Sequence, residues 1–255
     1  MIAFNINKQK VNCPITWEEV TVAQYLKLKK AANLSDIFKA LTRFDLDISE
    51  EQLEVNIFPF LTFISDPPDF DNLPVPELIV TIGKPPMNLG HESFGKKIAA
   101  QKIISKAFKG KDKIDVTYFM IELLQVYLPK DTIVYLPNDA TEYNIEYNIE
   151  QLPFIQAYPL FNHYCKEILR LVKRDKQYLE QKPDYELTLA GIEKLSKFGE
   201  MRIIDQLAGG DLLKYEKILE LEYDVIFKKL WYLAELNNFR ERLEKARQRK
   251  IKQAV

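Results

Sequence analysis

From Leu187 to Leu236 apolar residues recur every three or four positions, the spacing that lines side chains along one face of an α-helix. Leu187, Leu189, Ile192, Leu195, Phe198, Met201, Ile204 and Leu207 form one stripe. Leu212, Tyr215, Leu219, Tyr223, Ile226, Leu230, Leu233 and Leu236 form a second, which Ile218, Leu221, Val225 and Tyr232 widen to well over a third of the circumference. So broad a face predicts a central helix rather than a peripheral one. Between the stripes stand Gly209 and Gly210, able to take the left-handed conformation that ends a helix, and Asp211, suited to cap the next. The pair predicts an antiparallel helical hairpin of Leu187–Leu207 with Asp211–Leu236, the second helix reaching about Lys250 if it continues unbroken. At 1.5 Å per residue that helix is roughly 60 Å long. A compact domain of this size is roughly 35–40 Å across, so the helix end should project.

Shorter patterns fill the rest of the chain. Met1–Ile6 reads as a strand or an extended arm. Thr16 with Glu19 and Thr21 with Gln24 both fit a capping box, and Val22, Tyr25, Leu26 and Leu28 favour a helix from Thr21 through Ala32. Ser35-Asp36 opens a second helix to about Phe44. Ser49 with Gln52 opens a third, bearing Leu53, Ile57, Phe60, Leu61 and Ile64, with a kink or break expected at Pro59. Six prolines between 66 and 86 bracket one strand, Leu78–Ile82, whose comparable neighbour is Ile133–Leu136. Helices are expected over Ser93–Phe108, Asp115–Leu128 and Pro153–Gln181, the last bent or interrupted at Pro159. Glu-Tyr-Asn-Ile occupies 142–145 and again 146–149, too short a unit for a repeat fold.

The fold class that follows is mainly α: a multi-helix domain with a C-terminal antiparallel helical hairpin and a small minor β-sheet. Residues 1–65 read as an N-terminal helical unit and 66–255 as a mainly helical body with the long C-terminal helix. One continuous domain is the alternative to that division.

Composition changes this picture mainly by exclusion. Hydrophobic residues make up 47% and charged residues 29% of 255, the balance of a globular chain with a sizeable core. A formal net charge of −1 leaves no global field to recruit nucleic acid or an anionic membrane. The lack of an 18-residue apolar run excludes a transmembrane helix. Met1–Asn5 lacks the basic and apolar regions of a signal peptide, and two cysteines, Cys13 and Cys165, suit a reducing compartment. The expectation is a soluble protein of the cell interior.

Two constellations approach chemistry without reaching it. Gly90-His91-Glu92-Ser93-Phe94-Gly95-Lys96-Lys97 matches a phosphate-binding loop through the lysine, but Lys97 stands where a magnesium-binding hydroxyl is needed. Such a loop also follows a buried strand directly, whereas Pro85–Leu89 intervenes here. His163 and Cys165 flank Tyr164, with only Cys13 and His91 to complete a metal site. At i and i+2 on a helix the two side chains diverge by about 200°. Ordinary structural roles account for all four residues. No catalytic, cofactor-binding or metal-binding residue is expected.

The C-terminal end carries the sharper signal. From residue 240 onward Arg240, Arg242, Lys245, Arg247, Arg249, Lys250 and Lys252 face only Glu241 and Glu244, a side-chain net of +5. One explanation is a solvated helix end whose cations complement the helix dipole. The other is contact of Arg240, Arg242, Lys245, Arg247, Arg249 and Lys250 with an anionic partner, an acidic protein or nucleic acid. No aromatic residue follows Phe239, which disfavours nucleic-acid stacking by this segment.

Several segments resemble proteins encoded among the tail and virion morphogenesis genes of tailed bacteriophages and prophages, particularly those of Bacteroidetes hosts. They are Pro14–Leu26, Phe38–Thr42, Leu152–Pro159 and the turn from Phe198-Gly199 through Leu207-Ala208 to Asp211. The similarity rests on pattern and is spread over most of the chain. It implies a non-enzymatic helical protein, similar to tail-assembly chaperones, that contacts tail or virion proteins in the host cytoplasm during assembly. At 255 residues the chain is long for such a chaperone, so a component retained in the virion is the alternative. A nucleotide-binding enzyme with a degenerate phosphate loop is the second alternative.

Overall fold

The computed structural model of the chain describes residues 1–6, 9–42, 44, 49–74, 79–80, 86–109, 116–128, 134–135, 149–180 and 191–253. The fold is mainly α. It divides into two compact units, residues 1–87 with 103–165 and residues 88–102 with 166–255.

The first unit opens on a hairpin that the hydrophobic pattern half concealed. Strand β1 (Ile2–Ile6) pairs antiparallel with β2 (Gln9–Cys13), Phe4 opposite Val11. Only Val11 and Cys13 mark β2 as a strand, and both are fully buried. Thr16 precedes a single 3-10 turn, Trp17–Glu19, and the helix proper, α1 (Val22–Leu28), begins at Thr21. Thr21 and Gln24 complete a reciprocal capping box: each side-chain oxygen accepts the other residue's backbone N–H, at 3.3 and 2.8 Å. Helix α1 stops at Leu28, short of Ala32, because Asn33 caps the next helix by accepting the Asp36 amide at 2.8 Å. Helix α2 (Leu34–Thr42) follows, then α3 (Glu50–Asn56), capped by Ser49. The break expected at Pro59 is present as 3-10 turns over Phe58–Phe60 and Thr62–Ser65.

Val11, Cys13, Trp17, Val20, Phe38, Leu41, Leu53, Ile57 and Leu61 form one buried cluster. Trp17 is fixed at its edge, its indole N–H donating to the Phe63 carbonyl at 2.8 Å while its ring meets Phe63 and Phe70 edge-on. Helix α5 (Met120–Tyr127) follows α4, which is described with the second unit below. Strands β3 (Ile79–Val80) and β4 (Val134–Tyr135) pair antiparallel, which joins the two strand segments expected to meet. The described residues therefore hold two small two-stranded sheets rather than one. Residues 142–148, with most of the Glu-Tyr-Asn-Ile duplication, lie outside the described residues, as do Leu187 and Leu189.

Helix α6 (Phe154–Leu179) contains Pro159 without the interruption that was one of the two expected outcomes. Proline there removes only the bond to the Ile155 carbonyl, one turn from the helix start, and Pro159 itself is buried. Its first residues are tied to α1 by a short antiparallel bridge between Thr21 and Pro153. The Val22 amide donates to the Leu152 carbonyl at 2.9 Å and the Phe154 amide to the Val20 carbonyl at 2.7 Å.

The second unit begins with a 3-10 turn, Leu89–His91, and the start of α4 (Phe94–Lys109). After α6 come a 3-10 segment, Ile192–Phe198, and α7 (Met201–Ala208). Gly209 (φ 67°) and Gly210 (φ 79°) both take the left-handed conformation, and Asp211 caps the following 3-10 turn by accepting the Leu213 amide. Helix α8 (Tyr215–Glu220) packs back on α7, so the hairpin exists over these two short helices.

The long unbroken helix from Asp211 does not exist. The chain leaves helical geometry at Leu221 (ψ 146°) and restarts as α9 (Tyr223–Gln253). The cause is a second antiparallel bridge, between Ser93 and Glu222. The Phe94 amide donates to the Leu221 carbonyl and the Tyr223 amide to the Glu92 carbonyl, both at 2.8 Å. Each unit thus uses one device, two helix starts held side by side by a single bridged pair. Helix α9 is about 46 Å long, shorter than expected by the residues spent before the break.

Nor is the hairpin the centre of a core. Leu195, Phe198, Met201, Leu212, Leu213, Leu221, Val225 and Tyr232 are exposed. Leu219 and Leu230, expected in the core, are half-buried.

Candidate functional site: the C-terminal helix and its anchor

Helix α9 is held at its first turn by groups brought together from three separate stretches of the second unit. Tyr223 is 1% exposed, stacked on Phe94 at 5.9 Å, with its hydroxyl donating to one Asp175 carboxylate oxygen. Lys97 donates to the other at 2.9 Å, its ammonium 4.7 Å from the Tyr223 ring centre. Asp224 pairs with Arg174 at 2.7 Å, and that guanidinium lies 4.0 Å over the Phe227 ring. Burial first, and then the Asp175 hydrogen bond, raise the Tyr223 phenol far above its ordinary range.

The expected phosphate loop belongs to this anchor. Asn88 accepts the Gly90 amide at 3.0 Å, and a Cβ on Gly90 would sit 2.5 Å from the Asp224 carboxylate. Lys96 pairs with Glu92 at 2.6 Å and Lys97 with Asp175. A phosphate placed in the loop would meet carboxylates, and both lysines are already neutralised. The loop closes a helix–helix joint.

The remaining candidates are separately placed. The His163 ring lies 2.9 Å from the Met87 carbonyl through Nε2, and burial pushes the Cys165 thiol up to about 12 and the Cys13 thiol to about 11. Both cysteines are free. Among the described residues no group of three or more His, Cys, Asp or Glu is placed to hold a metal ion, and no helix is long and apolar enough to cross a membrane.

Beyond its anchor α9 has two apolar faces. Tyr223, Ile226, Phe227 and Ala234 are buried, and Leu230 is half-buried between them. At about 100° per residue they share one side of the helix. Tyr232, Leu236, Phe239, Leu243 and Ala246 share an arc of about 80° on the opposite side. Tyr232 is 60% exposed and Phe239 55%, and every residue from Asn237 to Arg249 is exposed. On the shoulder of this outer face Trp231 packs on Phe227 and on Tyr178 of α6.

The predicted basic residues all fall on this free end, and Lys250 lies in the helix with them. Arg240 and Arg247 border the apolar arc on one side, Arg242 and Arg249 on the other, while Glu241 and Glu244 lie towards the far side. Lys245 approaches Glu241 at 3.9 Å and Arg247 approaches Glu244 at 3.8 Å, long contacts between exposed groups. Arg240, Arg242 and Arg249 have no acidic partner among the described residues. In the sequence Tyr232 and Leu236 merge with the inner stripe, while Phe239, Leu243 and Ala246 stand isolated among charges, although the four-three-four spacing that joins them is visible there.

Comparison of the chain with protein-family models, with curated proteins and with solved structures found no match.

Proposed function

We propose that the protein works by protein–protein contact in the assembly of a tailed-phage particle, as a non-enzymatic, tail-assembly chaperone-like factor, and that the free end of α9 makes the contact. The observation that carries this reading is the run from Asn237 to Arg249, exposed throughout, rooted in a packed and ion-paired joint and bearing Arg240, Arg242 and Arg249 without an acidic partner among the described residues. A helix anchored only at one end presents its far side to a partner without disturbing its own fold. The phage setting rests on the resemblance of Pro14–Leu26, Phe38–Thr42, Leu152–Pro159 and the turn before Asp211.

The test is co-purification of the full chain and of residues 1–239 with the products of neighbouring tail genes, alongside their melting temperatures. Loss of the partner with an unchanged melting temperature is expected. Because exposed charges are screened beyond about 8 Å at 0.15 M ionic strength, capture should also weaken with salt. Equal capture by both chains at low and high salt would reduce the arm to a solvated helix end. Mass spectrometry of purified particles separates a transient factor from a component that stays in the virion.

A further inference from the structure

We infer that the occupant of the outer face of α9 is an acidic amphipathic helix of another protein, docked as a two-stranded coiled coil along Tyr232, Leu236, Phe239, Leu243 and Ala246. This rests on the contact reading above and specifies the partner's chemistry. The spacing of these five residues alternates four, three, four and three, the seam of a coiled coil rather than the broader face that packs on a globular core. A helix is therefore the shape that fits.

Charge decides between occupants. Arg240, Arg242, Arg247 and Arg249 occupy the positions beside the seam, where coiled-coil partners set their charged residues against one another. A second copy of this chain would place arginine against arginine there. Glu241 and Glu244 lie away from the seam, and Glu235, which borders it, meets only Arg240 in a parallel pair, leaving Arg242 opposite Arg247. A helix with Glu or Asp at its flanking positions pairs with all four, and Phe239 and Leu243 supply apolar anchors at the centre of the contact. Nucleic acid would use the arginines and leave the exposed Phe239 and Leu243 uncovered.

The test uses the full chain and three designed helical peptides with leucine along the seam, flanked by Glu, by Gln or by Lys. Binding is followed by fluorescence anisotropy at low and high salt. The Glu peptide should bind on the order of tenfold or more tighter than the Gln peptide, with the advantage lost as salt rises, and the Lys peptide should not bind. Phe239→Ala with Leu243→Ala should weaken the Glu peptide by on the order of tenfold at an unchanged melting temperature. Reversing Arg240, Arg242, Arg247 and Arg249 to Glu should transfer the preference to the Lys peptide. Indifference to peptide charge, or full binding by the Phe239→Ala, Leu243→Ala chain, would overturn the inference. So would a short DNA duplex that binds more tightly than the Glu peptide, or a free chain that sediments as a dimer dissociated by Phe239→Ala. If residues 1–239 lose their partner in co-purification while the Glu peptide fails to bind, the contact reading stands and the acidic helix does not.

Discussion

Asp175 accepts from both Lys97 and Tyr223, so removing either donor leaves a defined remainder. Tyr223→Phe keeps the packing on Phe94 and deletes one hydrogen bond to a charged group, an expected loss of about 1–3 kcal/mol in urea unfolding. Lys97→Met strips the carboxylate of its counter-ion in a largely buried site, and about 3–5 kcal/mol is expected there. The raised phenol adds a pH dependence of known sign. Its stabilisation is complete below the unfolded value of about 10 and disappears as pH rises through the higher folded value. The buried thiols of Cys13 and Cys165 give a loss of the same sign that starts lower, from 9.0. The difference between the chain and Tyr223→Phe isolates the phenol: the gap in stability should narrow above pH about 10. A constant gap to the alkaline limit would show that the phenol is neither buried nor held by Asp175. Gly90→Ala should cost about 1–3 kcal/mol, because its methyl displaces Asp224 from Arg174. None of these partners was legible in the sequence, since 78 residues separate Lys97 from Asp175 and 48 separate Asp175 from Tyr223.

Among the elements, those governed by neighbours in sequence were readable. Thr21 with Gln24, Ser49 ahead of α3, and Gly209-Gly210 ahead of Asp211 each act within a few residues, and each stands where the pattern placed it. What long-range contact dictates was not readable. Nothing in Leu221-Glu222 forbids a helix, yet the pairing of Glu222 with Ser93 takes those residues out of one. Periodicity likewise finds apolar residues on a helix without saying which side meets the core, so the inner and outer faces of α9 read as one broad stripe. Substitution separates them. Ile226→Ala, at 2% exposure, should cost about 2–5 kcal/mol, whereas Tyr232→Ala should change stability by no more than about 0.5 kcal/mol. Equal losses at both positions would mean that Tyr232 also packs within the fold.

At the scale of the whole molecule, a mainly helical architecture and a basic C-terminal arm were both evident from the chain, and the way the arm is held was not. The root of α9 is packed and ion-paired, while from Asn237 onward no residue with a described side chain is buried. A helix without tertiary packing is only marginally stable in water, so the two parts of α9 should differ in how readily they open. Residue-resolved hydrogen exchange on the full chain, without any partner, measures this directly. Amides from Ile226 to Ala234 should exchange only with the global unfolding of their unit, and those beyond Phe239 orders of magnitude faster. Uniform slow exchange from Ile226 to Gln253 would contradict a free docking arm, because it would require the outer end to be packed already.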